Sequence, residues 1–229
     1  MDPIIAVLQI LWVLYGGIGF YIIFSSSSID KEKGYVYTDA EKEADIVAKI
    51  KTRDSNFNSD IFKYCARQCV LDIYDHFNRC ETQELMPLES TELFNIHKSD
   101  IEQGITSKKL NCTVLEEVEI RKITKYKIDG NKEVIGCKAY FTYQNATIDP
   151  SSNSVLKYDV NMKKNTMYIE FIKNKNVKHN FSFALNQCPN CGALIEVNAQ
   201  GICIYCDSSL INGEHSWVLN KVEPFIDKM

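Results

Sequence analysis

The chain has 229 residues, of which 45% are hydrophobic and 24% are charged, and its formal net charge is −4. This composition excludes a disordered chain, and the length suffices for one medium domain with small appendages. The charge is uneven, because Asp30–Ser107 carries 10 basic against 16 acidic residues and Lys108–Lys178 carries 14 against 8. The basic half is compatible with an anionic partner, and equally with ordinary solvated faces.

The N-terminal segment Ile4–Phe24 contains no charged residue over 21 positions. A helix of that length rises roughly 30 Å, about the hydrocarbon thickness of a bilayer. A cleaved signal peptide is the competing interpretation, but Asp2 is the one charge before the run and the apolar run is too long for a usual signal. We therefore predict a single-pass membrane anchor with a short linker over residues 1–28. Lys31 and Lys33 follow the segment, which predicts that the rest of the chain lies in the cytoplasm.

Four helices are predicted next. Residues 29–53 form a linker and an amphipathic helix that Thr38 can cap, with Ala44, Val47 and Ile50 on one side. A longer helix is predicted over Ser59–Arg79, a short one over Thr82–Met86, and a last one that Ser90 caps and that stops near Gly104. The apolar stripe of the longest helix consists of Ile61, Cys65, Cys69, Ile73 and Phe77.

Two candidate sites lie on these helices. Cys65, Cys69 and His76 could be imagined as metal ligands, but His76 is off the face that the two cysteines share. We therefore predict core cysteines and a surface or boundary histidine. His97 could act as a general base, but no nucleophile or carboxylate partner is evident in the sequence, which favours a packing or hydrogen-bonding role.

After Asn111 the apolar residues recur with period two, which is typical of strands. Asp129-Gly130-Asn131 predicts a hairpin turn. Helices followed by hairpin-connected strands predict an α+β fold with helices on one face of a curved antiparallel sheet. The predicted strand faces are Ile135–Tyr143 at odd positions, then Leu156, Tyr158 and Val160, then Met167, Ile169 and Phe171, then Phe181, Phe183 and Leu185.

The chain contains the stretch DSNFNSDIFKYCARQCVLDIYDHFNRCETQELMPLESTELFNIH and the tail CPNCGALIEVNAQGICIYC. These two segments resemble bacterial members of the family of the mitochondrial inner-membrane translocase subunit forty-four. The resemblance covers residues 54–187 and the cysteine tail. It implies a cone-shaped domain similar to nuclear transport factor two and a membrane-associated scaffold or binding role. In mitochondria such a domain docks chaperone machinery and touches anionic lipid.

Residues 188–229 carry the spacing C-x2-C-x11-C-x2-C, formed by Cys188, Cys191, Cys203 and Cys206. Two C-x-x-C turns supply the four thiolates of a tetrahedral zinc site, whereas a redox dithiol needs one pair. Four thiolates leave no position for water, so we predict a structural Zn²⁺ in a small zinc ribbon, closed by a strand around Trp217–Leu219. The odd total of nine cysteines, which includes Cys80, Cys112 and Cys137, indicates a reducing compartment and no disulfide framework.

The predicted function is that of a membrane-anchored, non-enzymatic scaffold or binding protein in membrane-associated assembly or protein transport. Its predicted partners are the bilayer, another protein and anionic lipid. Nucleic acid is disfavoured, because Gly192–Met229 holds only Lys221 and Lys228 as basic residues. The alternative is an enzyme or small-ligand binder that uses the cavity of the cone. Its nearest candidates are His97, Asp149 and Glu170, which form no recognisable acid–base pair, so no catalytic residue is assigned.

Overall fold

The computed structural model describes residues 35–37, 41–177, 188, 191–194, 202–208 and 216–227. The predicted anchor Ile4–Phe24 lies outside the described residues. Within the described part, no helix is both long enough and apolar enough to cross a bilayer. The elements are β1 (Tyr35–Tyr37), α1 (Glu43–Lys51), α2 (Ser59–Asn78), α3 (Thr82–Leu85), α4 (Thr91–Ser107), β2 (Leu110–Asp129), β3 (Lys132–Asp149), β4 (Ser154–Tyr158), β5 (Lys163–Asn174) and β6 (Val218–Asp227).

The helix boundaries follow local signals. The side chain of Asn58 accepts hydrogen bonds from the backbone N–H groups of Asp60 and Ile61 at the start of α2. At the start of α4, the backbone N–H of Leu93 donates to Ser90 Oγ over 3.3 Å, which confirms the predicted cap. The predicted stop near Gly104 is wrong, because α4 continues to Ser107.

The predicted face of α1 is confirmed at Val47 and Ile50 and wrong at Ala44. Ile46 and Ile50 are buried, whereas Ala44 is exposed. The two isoleucines are four residues apart and share one face, and they bury more apolar surface than Ala44 can. The predicted cap Thr38 lies outside the described residues, and α1 begins after Lys42 without a side-chain cap.

The sheet has the strand order β1-β6-β5-β3-β2, and β4 pairs with β3. Its pairs are antiparallel except for β1 and β6, which run parallel. The turn between β2 and β3 falls at the predicted hairpin, where Gly130 has φ 56°. Three register shifts in β2 let this 20-residue strand bend, as β-bulges do. The prediction of an α+β fold with an antiparallel sheet is confirmed.

The core lies between the helices and one face of this sheet. Phe62 of α2 is fully buried, and its ring contacts those of Phe171 and Trp217 with centroids 5.8 and 5.7 Å away. The predicted inner face of β3, from Ile135 to Tyr143 at odd positions, is buried. The predicted stripe of α2 is wrong at its first residue, because Ile61 is 52% exposed. Four-residue steps drift by about 40° per turn, so such a stripe leaves the core face.

Two further predicted strand faces do not contribute to the core that the structure describes. Leu156, Tyr158 and Val160, predicted to share one strand face, are 50%, 47% and 77% exposed, so they form no part of the core. β4 pairs with β3 at Ala146–Asp149, beyond the part of β3 that pairs with β5, and all its residues are exposed. The predicted face of Phe181, Phe183 and Leu185 lies outside the described residues.

The strand expected to close the zinc ribbon belongs to the main sheet. Leu219 pairs with Phe171 and Val218 with Ile172, so β6 lies beside β5. The segment that carries the four cysteines therefore connects β5 to β6, and the chain returns to the sheet after it.

Candidate metal centre

The first C-x-x-C turn is closed by two backbone hydrogen bonds. The N–H of Gly192 donates to the carbonyl of Cys188 over 2.8 Å, and the N–H of Cys188 donates to the carbonyl of Ala193 over 2.7 Å. Gly192 has φ 76°, the left-handed conformation expected from its position directly after Cys191. The turn thus presents two cysteine side chains to the same point.

The second turn repeats this arrangement. The N–H of Asp207 donates to the carbonyl of Cys203 over 3.0 Å, and the N–H of Cys203 donates to the carbonyl of Ser208 over 2.9 Å. Asp207 takes the left-handed place of Gly192, with φ 58°, as predicted. Two turns of equal geometry therefore contribute one half of the candidate site each.

The four thiols form one compact cluster. Their Sγ atoms all lie within 4.8 Å of one another. Cys188 Sγ lies 3.8 Å from Cys206 Sγ, and Cys191 Sγ lies 3.9 Å from Cys203 Sγ. A tetrahedral zinc ion with Zn–S bonds of about 2.3 Å holds its sulfurs roughly 3.8 Å apart. The donor set and its spacing are thus compatible with a zinc site.

The cluster is partly buried. Cys188 and Cys203 are buried, whereas Cys191 is exposed. Without a metal, burial raises the pKa of the Cys203 thiol, and the neighbouring thiols add to this effect. A bound cation has the opposite effect and lowers the pKa of the thiol, because it stabilises the thiolate. Ser208, which the sequence did not single out, places its Oγ 3.2 Å from Cys206 Sγ, within reach to donate a hydrogen bond to a thiolate.

His97 has a carboxylate partner that the sequence analysis missed. Its Nδ1 lies 2.5 Å from Glu89 Oε1, and the two residues are 2% and 1% exposed. Burial raises the pKa of Glu89, and His97 opposes that shift. The ring of His97 also packs edge-on against Phe77, with centroids 5.0 Å apart. The predicted hydrogen-bonding and packing role of His97 is confirmed.

The space beside His97 is small. A cavity of about 10 Å³ lies there, which is roughly enough for one water molecule. It is lined by Ile73, Tyr74, Phe77, His97, Asn111 and Thr113.

The structure does not bring His97, Asp149 and Glu170 together. Glu170 pairs with Gly136 across the sheet, and Gly136 lies about 40 Å along β3 from Asp149. Glu170 accepts hydrogen bonds from Tyr168 and Asn220. Asp149 accepts hydrogen bonds from Ser151 and His97 pairs with Glu89.

The structure also does not bring Cys65, Cys69 and His76 of α2 together as metal ligands. His76 Nδ1 lies 2.7 Å from Glu81 Oε2 at the end of the helix. Cys69 is buried, and its thiol lies 3.8 Å from the carbonyl oxygen of Leu88. Among the described residues, the candidate metal cluster is the one formed by the four C-x-x-C cysteines.

Comparison with known proteins gives little further information. No family model matches the chain, and no curated protein matches it. Solved structures do match, and among them the crystal structure of the intermembrane space region of the chloroplast protein ARC6 is 10% identical and has a TM-score of 0.33. That match covers 78% of this chain and 95% of the other. A likeness at this TM-score supports no conclusion about function.

Proposed function

We propose that this chain is a membrane-anchored, non-enzymatic scaffold or binding protein that carries a structural zinc ribbon. The cluster of Cys188, Cys191, Cys203 and Cys206 carries the proposal. Four thiolates complete the tetrahedral coordination of zinc, so water and substrate have no open position at the metal. The ion then contributes folding energy to the segment between β5 and β6 and performs no chemistry.

The interior of the helix–sheet domain offers no cavity of substrate size beside His97, the nearest candidate for a general base. The space between helices and sheet is occupied by large side chains such as Phe62, Phe171 and Trp217, and the cavity beside His97 has room for about one water molecule. A substrate pocket is ordinarily hundreds of Å³ in volume, so the space between the helices and the sheet does not accommodate a substrate. Room of that size, about 470 Å³, lies beside the residues that follow β4.

The membrane anchor rests on the uncharged segment Ile4–Phe24, and the single-pass orientation with the domain in the cytoplasm rests on Lys31 and Lys33. The proposed kinship with the translocase family rests on the quoted sequence stretches. Helices packed on one face of a bent sheet are compatible with the cone-shaped fold of that family.

The test is a metal analysis of the full chain purified in detergent, combined with alkaline extraction of membranes. We expect one zinc per chain, and less than half of that in Cys188→Ser and Cys203→Ser. Cys80→Ser, a half-buried cysteine outside the cluster, serves as the matched control and keeps its zinc. A zinc-free wild-type chain refutes the metal proposal, and extraction of the chain by alkali refutes the anchor.

A further inference from the structure

The strand β4 and the residues after it expose a dense group of apolar side chains. Five large hydrophobic residues within eight positions are between 47% and 77% exposed. Single exposed apolar residues are ordinary, whereas a contiguous group indicates an interaction surface. We call the segment 154–164 the β4 arm; its exposed apolar residues are Val155, Leu156, Tyr158, Val160 and Met162.

Both faces of the arm are open. Successive side chains on a regular strand point to opposite faces, and the neighbours Lys157 and Tyr158, which pair with Thr147 and Ala146 without a register shift, are both exposed. An added strand would cover the free edge of β4, and a protein groove would cover one face. The boundary between lipid headgroups and acyl chains surrounds an inserted segment on both faces, so it fits this pattern better.

The charges of the arm complement an anionic surface. Lys157, Lys163 and Lys164 lie among the apolar residues, against the single carboxylate of Asp159. Lys157 and Lys164 are exposed, while Lys163 lies 3.3 Å from Asp159. Tyr158, whose hydroxyl donates to Gln144 over 2.6 Å, combines an apolar ring with a polar end. Basic and aromatic residues around an apolar patch are typical of segments that lie in the membrane interface.

The arm is within reach of a membrane to which the N-terminus is anchored. The strand register places Tyr35 level with Tyr140, about 20 Å along the sheet from Tyr158 and two strands aside. From Phe24 to Tyr35 the chain can span at most about 40 Å. The anchor therefore permits contact between the arm and the bilayer surface.

We propose that the β4 arm docks into the interface of an anionic bilayer and holds the helix–sheet domain against the membrane. The proposal rests on the proposed membrane anchor, which brings the domain to that surface. The apolar side chains enter the headgroup region, and the lysines contact the lipid phosphates.

The test is hydrogen exchange of the full chain in nanodiscs of phosphatidylcholine, with and without phosphatidylglycerol. We expect amides of the arm to exchange at least about tenfold more slowly in the anionic nanodiscs. Equal exchange in the two nanodiscs overturns the proposal. Protection that increases with protein concentration and ignores lipid composition assigns the arm to pairing with a second copy of the chain, and also overturns it.

Two variants separate the apolar and electrostatic contributions. We expect protection to be lost in the triple variant Val155→Ser, Leu156→Ser, Val160→Ser and in the triple variant Lys157→Gln, Lys163→Gln, Lys164→Gln. The matched control is Ile61→Ser, Ile105→Ser, Ile128→Ser, at residues that are 52%, 49% and 47% exposed elsewhere. A control that loses protection equally overturns the assignment to the arm. Loss of the wild-type chain from both nanodiscs refutes the anchor, whereas a retained chain with an unprotected arm refutes the docking alone.

Discussion

The contact between Gly136 and Tyr168 makes Gly136→Ala a sharp test of the sheet packing. A Cβ atom at position 136 would lie 2.4 Å from the hydroxyl oxygen of Tyr168 and 2.7 and 2.8 Å from two of its ring carbons. Tyr168 is 1% exposed, and its hydroxyl donates to Glu170 over 2.9 Å. The alanine therefore forces the ring away, and the hydrogen bond to the carboxylate is lost with it.

The expected cost combines two effects. Overpacking of a buried site costs about 1–3 kcal/mol, and a lost hydrogen bond to a charged group costs about 1.5–3 kcal/mol. We expect Gly136→Ala to lower the free energy of unfolding by about 3–5 kcal/mol, measured by urea unfolding of the full chain in detergent. Each kcal/mol shifts the Tm of a chain of this size by about 2–4 °C, so Tm falls by roughly 10 °C.

A double-mutant cycle isolates the contact. Tyr168→Leu removes the atoms that clash, so Gly136→Ala should cost at least about 1 kcal/mol less in that background than in the wild type. A cost below about 0.5 kcal/mol in the wild type, or equal costs in both backgrounds, would show that the packing of the Tyr168 side chain does not require a glycine at position 136.

Three further predictions follow from other features. Chelation of the metal should raise hydrogen exchange around Cys188 and Cys203 while α2 stays protected, and loss of protection throughout α2 would contradict this. His97→Ala should cost about 3–5 kcal/mol in urea unfolding at pH 7, because it leaves the buried carboxylate of Glu89 without the imidazole that opposes the rise of its pKa. The cost should shrink as the pH is lowered, because a protonated Glu89 needs no such partner; a cost that does not change with pH would contradict this. Burial raises the pKa of Asp100 to about 6, so the folded state binds the proton more tightly and stability falls as pH rises from about 4 to about 6. Asp100→Asn should remove this fall and add roughly 1–3 kcal/mol at pH 7, and an unchanged pH profile of the unfolding free energy would refute the assignment.

The features that the sequence predicted correctly are local ones. The cap at Ser90, the turn at Gly130 and the conformations of Gly192 and Asp207 depend on a few adjacent residues. Each residue type there favours one backbone conformation or one hydrogen bond, whatever the rest of the chain does. The cysteine spacing predicted the metal cluster correctly for the same reason.

The features that were missed depend on distant parts of the chain. Alternation in β4 shows which side chains share a face, but the neighbours of the strand decide whether that face is covered, and Tyr158 is 47% exposed. Glu89 could not be recognised as the partner of His97 from the sequence. The two residues are eight positions apart, one before the start of α4 and one within it, and only the folded chain brings their side chains together. The stretch around Glu89 is held by Leu219, about 130 residues away, through backbone hydrogen bonds with Leu88 and Ser90.

The insertion of the cysteine segment between two paired strands has a consequence for the order of folding. Residues 175–217 must close as a loop before β6 can pair with β5, and closure costs more chain entropy as the loop lengthens, about 0.6 kcal/mol per doubling. A metal that joins Cys188 to Cys206 shortens this loop in advance. Since β1 pairs with β6, the metal supply would then also control when the chain next to the N-terminal segment joins the sheet.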